Sequence, residues 1–201
     1  QQVSELAEKD KLAVDRLTAL FDDGAFTEID GYAKSASGDV EAAAGFGTVN
    51  GSPVYAFAQN VNVNGGAISV AQCAKLKKIY DLATKTGCPV IGIYDSNGVK
   101  LDEGFEALSA YGELVKASTV VIAVKDADFY VTTPSDVTAD TCYEQGTVDI
   151  LADDLDGALT AAKDVVALLP GNNLSPAPVY DFTAPSVAVD TGASAMDVIC
   201  A

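Results

Sequence analysis

No histidine occurs in the 201 residues. That absence removes His-metal sites and Ser-His or Cys-His nucleophile pairs. The four cysteines, Cys73, Cys88, Cys142 and Cys200, form no C-x-x-C pair. A structural zinc site therefore has no ligand pattern, and no metal is expected. Positive charge is scarce: 12 Lys and Arg stand against 29 Asp and Glu, a net charge of −17. Nucleic acid and anionic membranes would be repelled, and the surplus acid reads first as solubility. No apolar run is long enough to span a bilayer, so membrane insertion is not expected, and no signal-peptide pattern opens the chain. Free thiols point to a reducing, cytoplasmic setting.

What remains is a globular composition with about half the residues apolar, enough for one domain or a slightly extended one. The organising stretch is 45–118. Two strand-like runs, 42–49 and 53–59, flank Asn50-Gly51, a strong hairpin signal. Gly45-x-Gly47-x-x-x-Gly51 is one residue off a dinucleotide fingerprint and lies in a hairpin, which sets NAD aside. After Asn64-Gly65-Gly66, residues 68–86 have helical spacing, with Ile68, Leu76, Ile79, Tyr80 and Ala83 on one arc. Lys75, Lys78 and Lys85 fall on another arc, read as a solvated face or as a cationic patch for a phosphate-bearing ligand. Cys73 and Cys88 flank this helix and read as small core residues.

An unbroken apolar run over 89–94 predicts a buried strand. It leads into Asp95-Ser96-Asn97-Gly98-Val99-Lys100 and a helix over 104–116 with Phe105, Leu108, Tyr111 and Val115 inward. Around this unit the spacing predicts a packing helix over 3–21 that stops near Gly24, and a short extended piece over 26–29. It also predicts strands over 119–124 and 129–132, a helix start at 133–136 and an edge strand over 148–151. The helix over 154–169 is the clearest, with acids at its start and Pro170 at its end. Residues 170–194 read as a linker. The chain opens on Gln1 and closes on Ala195-Met196-Asp197-Val198-Ile199-Cys200-Ala201, which reads as a helix opening. Domain expectations are therefore 1–174, with 175–201 a linker and the start of a further C-terminal domain.

Several segments, in order, resemble the acyl-CoA carboxyltransferase subunits of biotin-dependent carboxylases and decarboxylases. They are Leu20-Phe21-Asp22-Asp23-Gly24-Ala25-Phe26-Thr27-Glu28-Ile29, the hairpin Gly45-Phe46-Gly47-Thr48-Val49-Asn50-Gly51-Ser52-Pro53-Val54, the Gly-Gly turn within 59–68, Lys85-Thr86-Gly87-Cys88-Pro89-Val90-Ile91-Gly92 and Leu168-Leu169-Pro170-Gly171-Asn172-Asn173-Leu174. The resemblance covers nearly the whole chain. It implies an α/β, crotonase-like (ClpP/crotonase) superhelix of ββα units, specifically the N-terminal half of such a carboxyltransferase. The implied reaction moves a carboxyl group between carboxybiotin, carried on a biotin carboxyl carrier protein, and the α-carbon of an acyl-CoA. The thioester oxygen becomes an enolate that backbone N–H groups can hold, so the lack of histidine is no obstacle.

The family's Ser-Gly-Gly-Ala-Arg loop resembles Ser96-Asn97-Gly98-Val99-Lys100. The resemblance carries the oxyanion role to the backbone of Val99, with Gly98 beside it. Acyl-CoA is then expected against Gly65, Gly66, Ser96, Asn97 and Lys100, with Lys75 and Lys78 of the cationic arc offsetting the repulsion of the CoA phosphates. Two departures stand out. Lys100 lacks the two-pronged contact of arginine, and Asn97 in place of a glycine either alters the turn or narrows the approach to the thioester. The family's second glycine-rich loop, expected after about residue 118, is absent. Two readings follow: a carboxyltransferase completed by a C-terminal half and homo-oligomeric when full length, or a degenerate, non-catalytic half kept for assembly. A hydratase of the same fold would want a glutamate pair near the oxyanion site. Glu103 and Glu106 sit at a helix start, where acids are favoured anyway.

Overall fold

The computed structural model describes residues 11–114, 120–128, 137–181, 192 and 194. Its main sheet has the order β1-β2-β3-β4. Strands β1 (Phe26–Glu28), β2 (Ala42–Val49) and β3 (Ser52–Gln59) are antiparallel neighbours, and β4 (Val90–Ile93) joins β3 in parallel. A period of two sorts the side chains to two faces. Ala43, Val49, Val54, Ala56 and Ala58 face one core with Leu17 and Leu20 of α1 (Lys11–Leu20) and Leu159 and Val166 of α5 (Leu155–Leu168). Ala42, Ala44, Tyr55 and Phe57 face the other, with Leu76 and Ile79 of α2 (Val70–Thr86) and Leu114 of α3 (Gly104–Leu114). The sheet is thus the middle of three layers, which explains why its two central strands are apolar almost throughout.

The expected hairpin forms. Asn50 and Gly51 adopt φ of 51° and 75°, the left-handed pair of a two-residue hairpin turn. Asp22 clamps this turn, accepting hydrogen bonds from Asn50 N–H at 3.0 Å and Gly51 N–H at 2.9 Å. The bond from Gly51 does most to hold the Asp22 carboxyl below the usual range.

Helix α2 begins at Val70, two residues later than the expected 68. Ser69 caps it, its side chain accepting from Gln72 N–H, while Ile68 pairs in β fashion with Val99. Cys73 therefore lies inside the helix and is buried, whereas Cys88 follows it half-buried. Three other expectations need correction. The strand over 89–94 is half-buried, because β4 is an edge of the described sheet, and Tyr94 is exposed. Helix α3 turns Ala107, Ala110, Tyr111 and Leu114 inward, leaving Phe105 and Leu108 exposed. Packing against α2 buries the stripe that carries Ala110, Tyr111 and Leu114, so the second apolar stripe of the helix is the inward one. Lys75 belongs to the buried arc of α2, treated below.

A smaller sheet pairs β5 (Ile122–Val124) and β6 (Ile150–Ala152) in parallel. Its core is Ala123, Cys142 and Val148 with Ala139 of the short helix α4 (Ala139–Glu144), which Thr138 caps. The strand expected at 129–132, the helix start at 133–136, the helix residues 3–10 and 115–116, and Cys200 lie outside the described residues. From Pro170 to Asp181 no regular element forms. No described helix is long and apolar enough to cross a membrane.

Candidate functional site

Parallel strands β3 and β4 deliver two turns to the same end of the sheet, Asn64-Gly65-Gly66 and Asp95-Ser96-Asn97-Gly98-Val99-Lys100. The backbone zips them together. Asn97 N–H donates to Gly65 O at 2.9 Å, Ile68 N–H to Gly98 O at 2.9 Å, and Lys100 N–H to Ile68 O at 3.0 Å. Gly66 has φ of 68°, and an added Cβ would collide with Asp95 O, so only glycine permits the approach. The side-chain amide of Asn97 lies over Gly65, where a Cβ would otherwise stand. In this pattern Ile68 spends both its backbone groups on the partner turn, and Val99 points its own the other way. Among the described residues, Val99 N–H donates to no protein group, whereas Gly98 N–H donates to Ser96 Oγ at 3.0 Å. Of the two expected donors, Val99 is the one left free.

Charged side chains clamp both ends of the Asp95–Lys100 loop. At its entry, Arg16 Nη2 reaches Asp95 Oδ2 at 2.5 Å and Arg16 Nη1 reaches Gln59 O at 3.3 Å. Gln59 accepts from Asp95 N–H at 2.9 Å and donates to Gln72 Oε1 at 2.9 Å. At its exit, Lys100 Nζ lies 3.4 Å from Glu103 Oε1 and 3.7 Å from Glu41 Oε1. Glu41 is 4% exposed, and its other oxygen accepts from Ser69 Oγ–H. Burial works against the Lys100 charge, but the hydrogen bond to Glu103 and the charge of Glu41 outweigh it and raise its pKa above the usual lysine value. Lys100 is therefore engaged within the protein.

The remaining expected binding residues divide. Lys75 is 5% exposed and donates to Ala42 O at 2.6 Å, so it is a buried clip between α2 and β2 rather than part of a solvated face. Position 75 is three residues after Gln72 and four before Ile79, both inward-facing, and this spacing puts it on the buried arc. Lys78 does reach the surface, where it pairs with Asp30 at 2.7 Å. The N-terminus of α2 is already occupied: Glu103 Oε2 accepts from Val70 N–H at 2.8 Å, in the place an anion would take. Glu106 is exposed. A cavity of about 10 Å³, room for one water, lies between Ser35, Glu41, Gln72 and Lys75.

Arg16, Glu41 and Gln59 were not singled out from the sequence. Their signals were faint: the chain's single arginine, and polar residues ending apolar strands.

Residues 4–124, which include both turns and both clamps, match the carboxyl transferase domain model. The chain belongs to the carboxyl transferase domain family. It is 29% identical over 239 residues to a propionyl-CoA carboxylase beta chain of Saccharopolyspora erythraea, an alignment covering 92% of this chain and 43% of that one. Over 117 residues it is 38% identical to a methylmalonyl-CoA decarboxylase alpha subunit of Veillonella parvula, covering 53% of this chain and 23% of that one. Among solved structures, the transcarboxylase 12S hexamer with hydrolysed methylmalonyl-coenzyme A bound superposes with a TM-score of 0.73 at 26% identity, over 88% of this chain and 46% of that one. The carboxyltransferase fold is crotonase-like, as expected. The chain spans less than half the length of these relatives.

Proposed function

We propose that this chain is the acyl-CoA-binding half of a biotin-dependent carboxyltransferase, with residues 1–174 as its crotonase-like domain. The acyl-CoA thioester lies between Gly65-Gly66 and Ser96–Lys100. The observation that carries the reading is the Val99 amide, held in place by the Ile68 pairing yet donating to no group among the described residues. Such a donor suits a thioester oxygen that gains negative charge as the α-carbon loses or accepts a carboxyl group. One lost donor of this kind costs roughly 3–4 kcal/mol of transition-state stabilisation. Arg16, Gln59, Glu41 and Glu103 keep the donor from drifting by fixing both loop ends. Lys78, on the surface of α2 where it pairs with Asp30, is the residue assigned in this reading to the CoA phosphates.

Carboxybiotin, delivered on a carrier protein, supplies or takes up the carboxyl group. The free amide fits an oxygen-bearing reactant, but no described residue is assigned to the biotin ring. A C-terminal carboxyltransferase half completes the site, in a homo-oligomer of the full-length protein in the cytoplasm. The chain alone is expected not to turn over and to bind acyl-CoA weakly.

A second reading, a non-catalytic half kept for assembly, has its own support. Lys100 is consumed by Glu41 and Glu103, Asn97 covers Gly65, and Glu103 occupies the α2 N-terminus. Calorimetric titration with acetyl-, propionyl- and glutaconyl-CoA, alongside a free-biotin decarboxylation assay, separates the two. Weak binding that vanishes in Gly98→Leu supports the first reading, and no heat with any of the three supports the second. Turnover by the chain alone, or sub-micromolar binding indifferent to Gly98→Leu, contradicts the site as drawn.

A further inference from the structure

We propose that Gln72 is a positioning residue for the Val99 amide, because its side chain joins the two clamps of the Asp95–Lys100 loop into one buried hydrogen-bonded chain. The inference rests on the reading of Val99 as the donor to a thioester oxygen. Gln72 lies in the first turn of α2 and is 3% exposed, and Gln59, at the end of β3, is fully buried. At the loop entry, Asp95 N–H donates to Gln59 Oε1 at 2.9 Å, and Gln59 Nε2 donates to Gln72 Oε1 at 2.9 Å. Gln72 Nε2 continues to Glu41 O at 3.4 Å, a carbonyl that also accepts from Asn60 N–H at 3.0 Å. Gln72 N–H donates to Ser69 Oγ at 3.0 Å, and Ser69 Oγ–H donates in turn to the Glu41 carboxylate. Glu41 then faces Lys100 at the loop exit. Gln72 thus holds Glu41 both through its amide and through its backbone.

The chemistry of the links shows why the middle of this chain matters. At 3.7 Å, Glu41 and Lys100 attract by charge but lie beyond hydrogen-bond reach, so their contact imposes little direction. Glu41 must therefore be placed by its other partners, and Gln72 and Ser69 do so. An amide carries an acceptor and donors on one rigid group, so Gln72 can accept from Gln59 and donate to Glu41 at once. A carboxylate at position 72 could only accept, and an apolar side chain would remove the acceptor of Gln59 Nε2. Groups in a buried hydrogen-bonded chain support one another, and losing one link loosens its neighbours. Loosening either end of the loop therefore loosens the other, and an oxyanion donor is effective only from a fixed position.

The test compares the whole parent chain with Gln72→Met, Gln59→Met and the double variant. Methionine keeps nearly the length and bulk of glutamine and drops its hydrogen bonds. Hydrogen exchange is read at the amides of Asn97 and Lys100, which bridge to Gly65 and Ile68, and at the amides of β2. Gln72→Met should quicken both loop amides by about tenfold relative to β2, the scale of one lost buried hydrogen bond. Gln59→Met cuts the chain on the entry side and should quicken Lys100 at the exit as well. The double variant should go no further than the larger single effect. Additive effects, quickening confined to one end of the loop, or an equal change in loop and β2 overturns the inference; the last is what a merely structural role gives. If Gln72→Met does not fold, Gln59→Met read at Lys100 carries the same decision. Propionyl-CoA supplies the second readout. Where it shifts the Val99 amide resonance of the parent chain, Gln72→Met should weaken its binding several-fold, and indifference to Gln72→Met overturns the positioning role. A parent chain whose Val99 resonance ignores propionyl-CoA refutes the acyl-CoA reading instead, while the exchange pattern still decides the coupling.

Discussion

The four-stranded sheet and the two-stranded sheet solve the same problem at different scales. In the larger, β2 and β3 run eight residues each and bury side chains on both faces, against α1 and α5 on one side and α2 and α3 on the other. In the smaller, β5 and β6 run three residues each over a core of small side chains. The larger sheet can therefore hold two glycine turns in close contact at one end of its strands, because layers on both sides fix the strands that deliver them. The smaller has no such depth. Helix α5 joins the two, placing Leu159 and Val166 in the core of the larger sheet while packing on the smaller. A rigid site needs the first kind of support.

The sharpest way to break this contrast is Phe57→Ala. Phe57 is fully buried, and its ring meets Tyr80 and Tyr94 edge-on. The change should cost about 3–5 kcal/mol in chemical denaturation. A small loss would mean that the second core is not the support assigned to it.

Gly66→Ala should come next, at about 3 kcal/mol, because it adds strain at positive φ to a backbone collision with Asp95 O. Its signature is local as well as global. Hydrogen exchange at the Ile68 and Lys100 amides, which bridge the two turns, should quicken more than exchange in β2.

Val148→Ala tests the smaller sheet. Removing two methyl-sized groups from a buried position should cost about 1.5 kcal/mol. A cost equal to that of Phe57→Ala would erase the difference in depth between the two cores.

The smallest expected effect is that of Asp22→Asn at the hairpin turn. The folded-state pKa of Asp22 is lowered, so between its folded and unfolded values the unfolded chain binds the extra proton. Its contribution is complete above the ordinary carboxylate pKa of about 4 and is lost as pH falls through the lower folded value. The stability gap between Asp22→Asn and the parent chain should be present at neutral pH and close on acidification. A gap unchanged down to acid pH would mean that the charge of Asp22 is irrelevant to the turn.

Legibility in the sequence followed the same divide. The hairpin, α2 and α5 were readable because each is long enough for its period to repeat and ends in local chemistry: Asn50-Gly51, the Ser69 cap and Gly87 at φ of 70°, and the Asp154 cap. The strand pair Ile122–Val124 and Ile150–Ala152 is too short to show a period, so only its approximate place could be read. Pattern also failed where one helix offered two apolar stripes. In α3, nothing local distinguishes Phe105 and Leu108 from Ala107, Tyr111 and Leu114 as the inward set.

By itself, the sequence determined the hairpin, the helices α1, α2, α3 and α5, the two glycine turns, the absence of histidine chemistry and the family resemblance, but not the short helix α4. These depend on residue type and near-neighbour spacing, which the chain carries in one dimension. Only the tertiary structure decided that Gly65-Gly66 and Asn97-Gly98-Val99 meet, that the Val99 amide donates to no group among the described residues, and that Arg16, Glu41 and Gln59 hold the loop from segments up to 79 residues away. It also decided that Lys75 is a buried clip. The reason is physical. Burying a charge is tolerable only where a partner is already in place, and for Arg16, Glu41 and Lys75 that partner comes from a distant part of the chain.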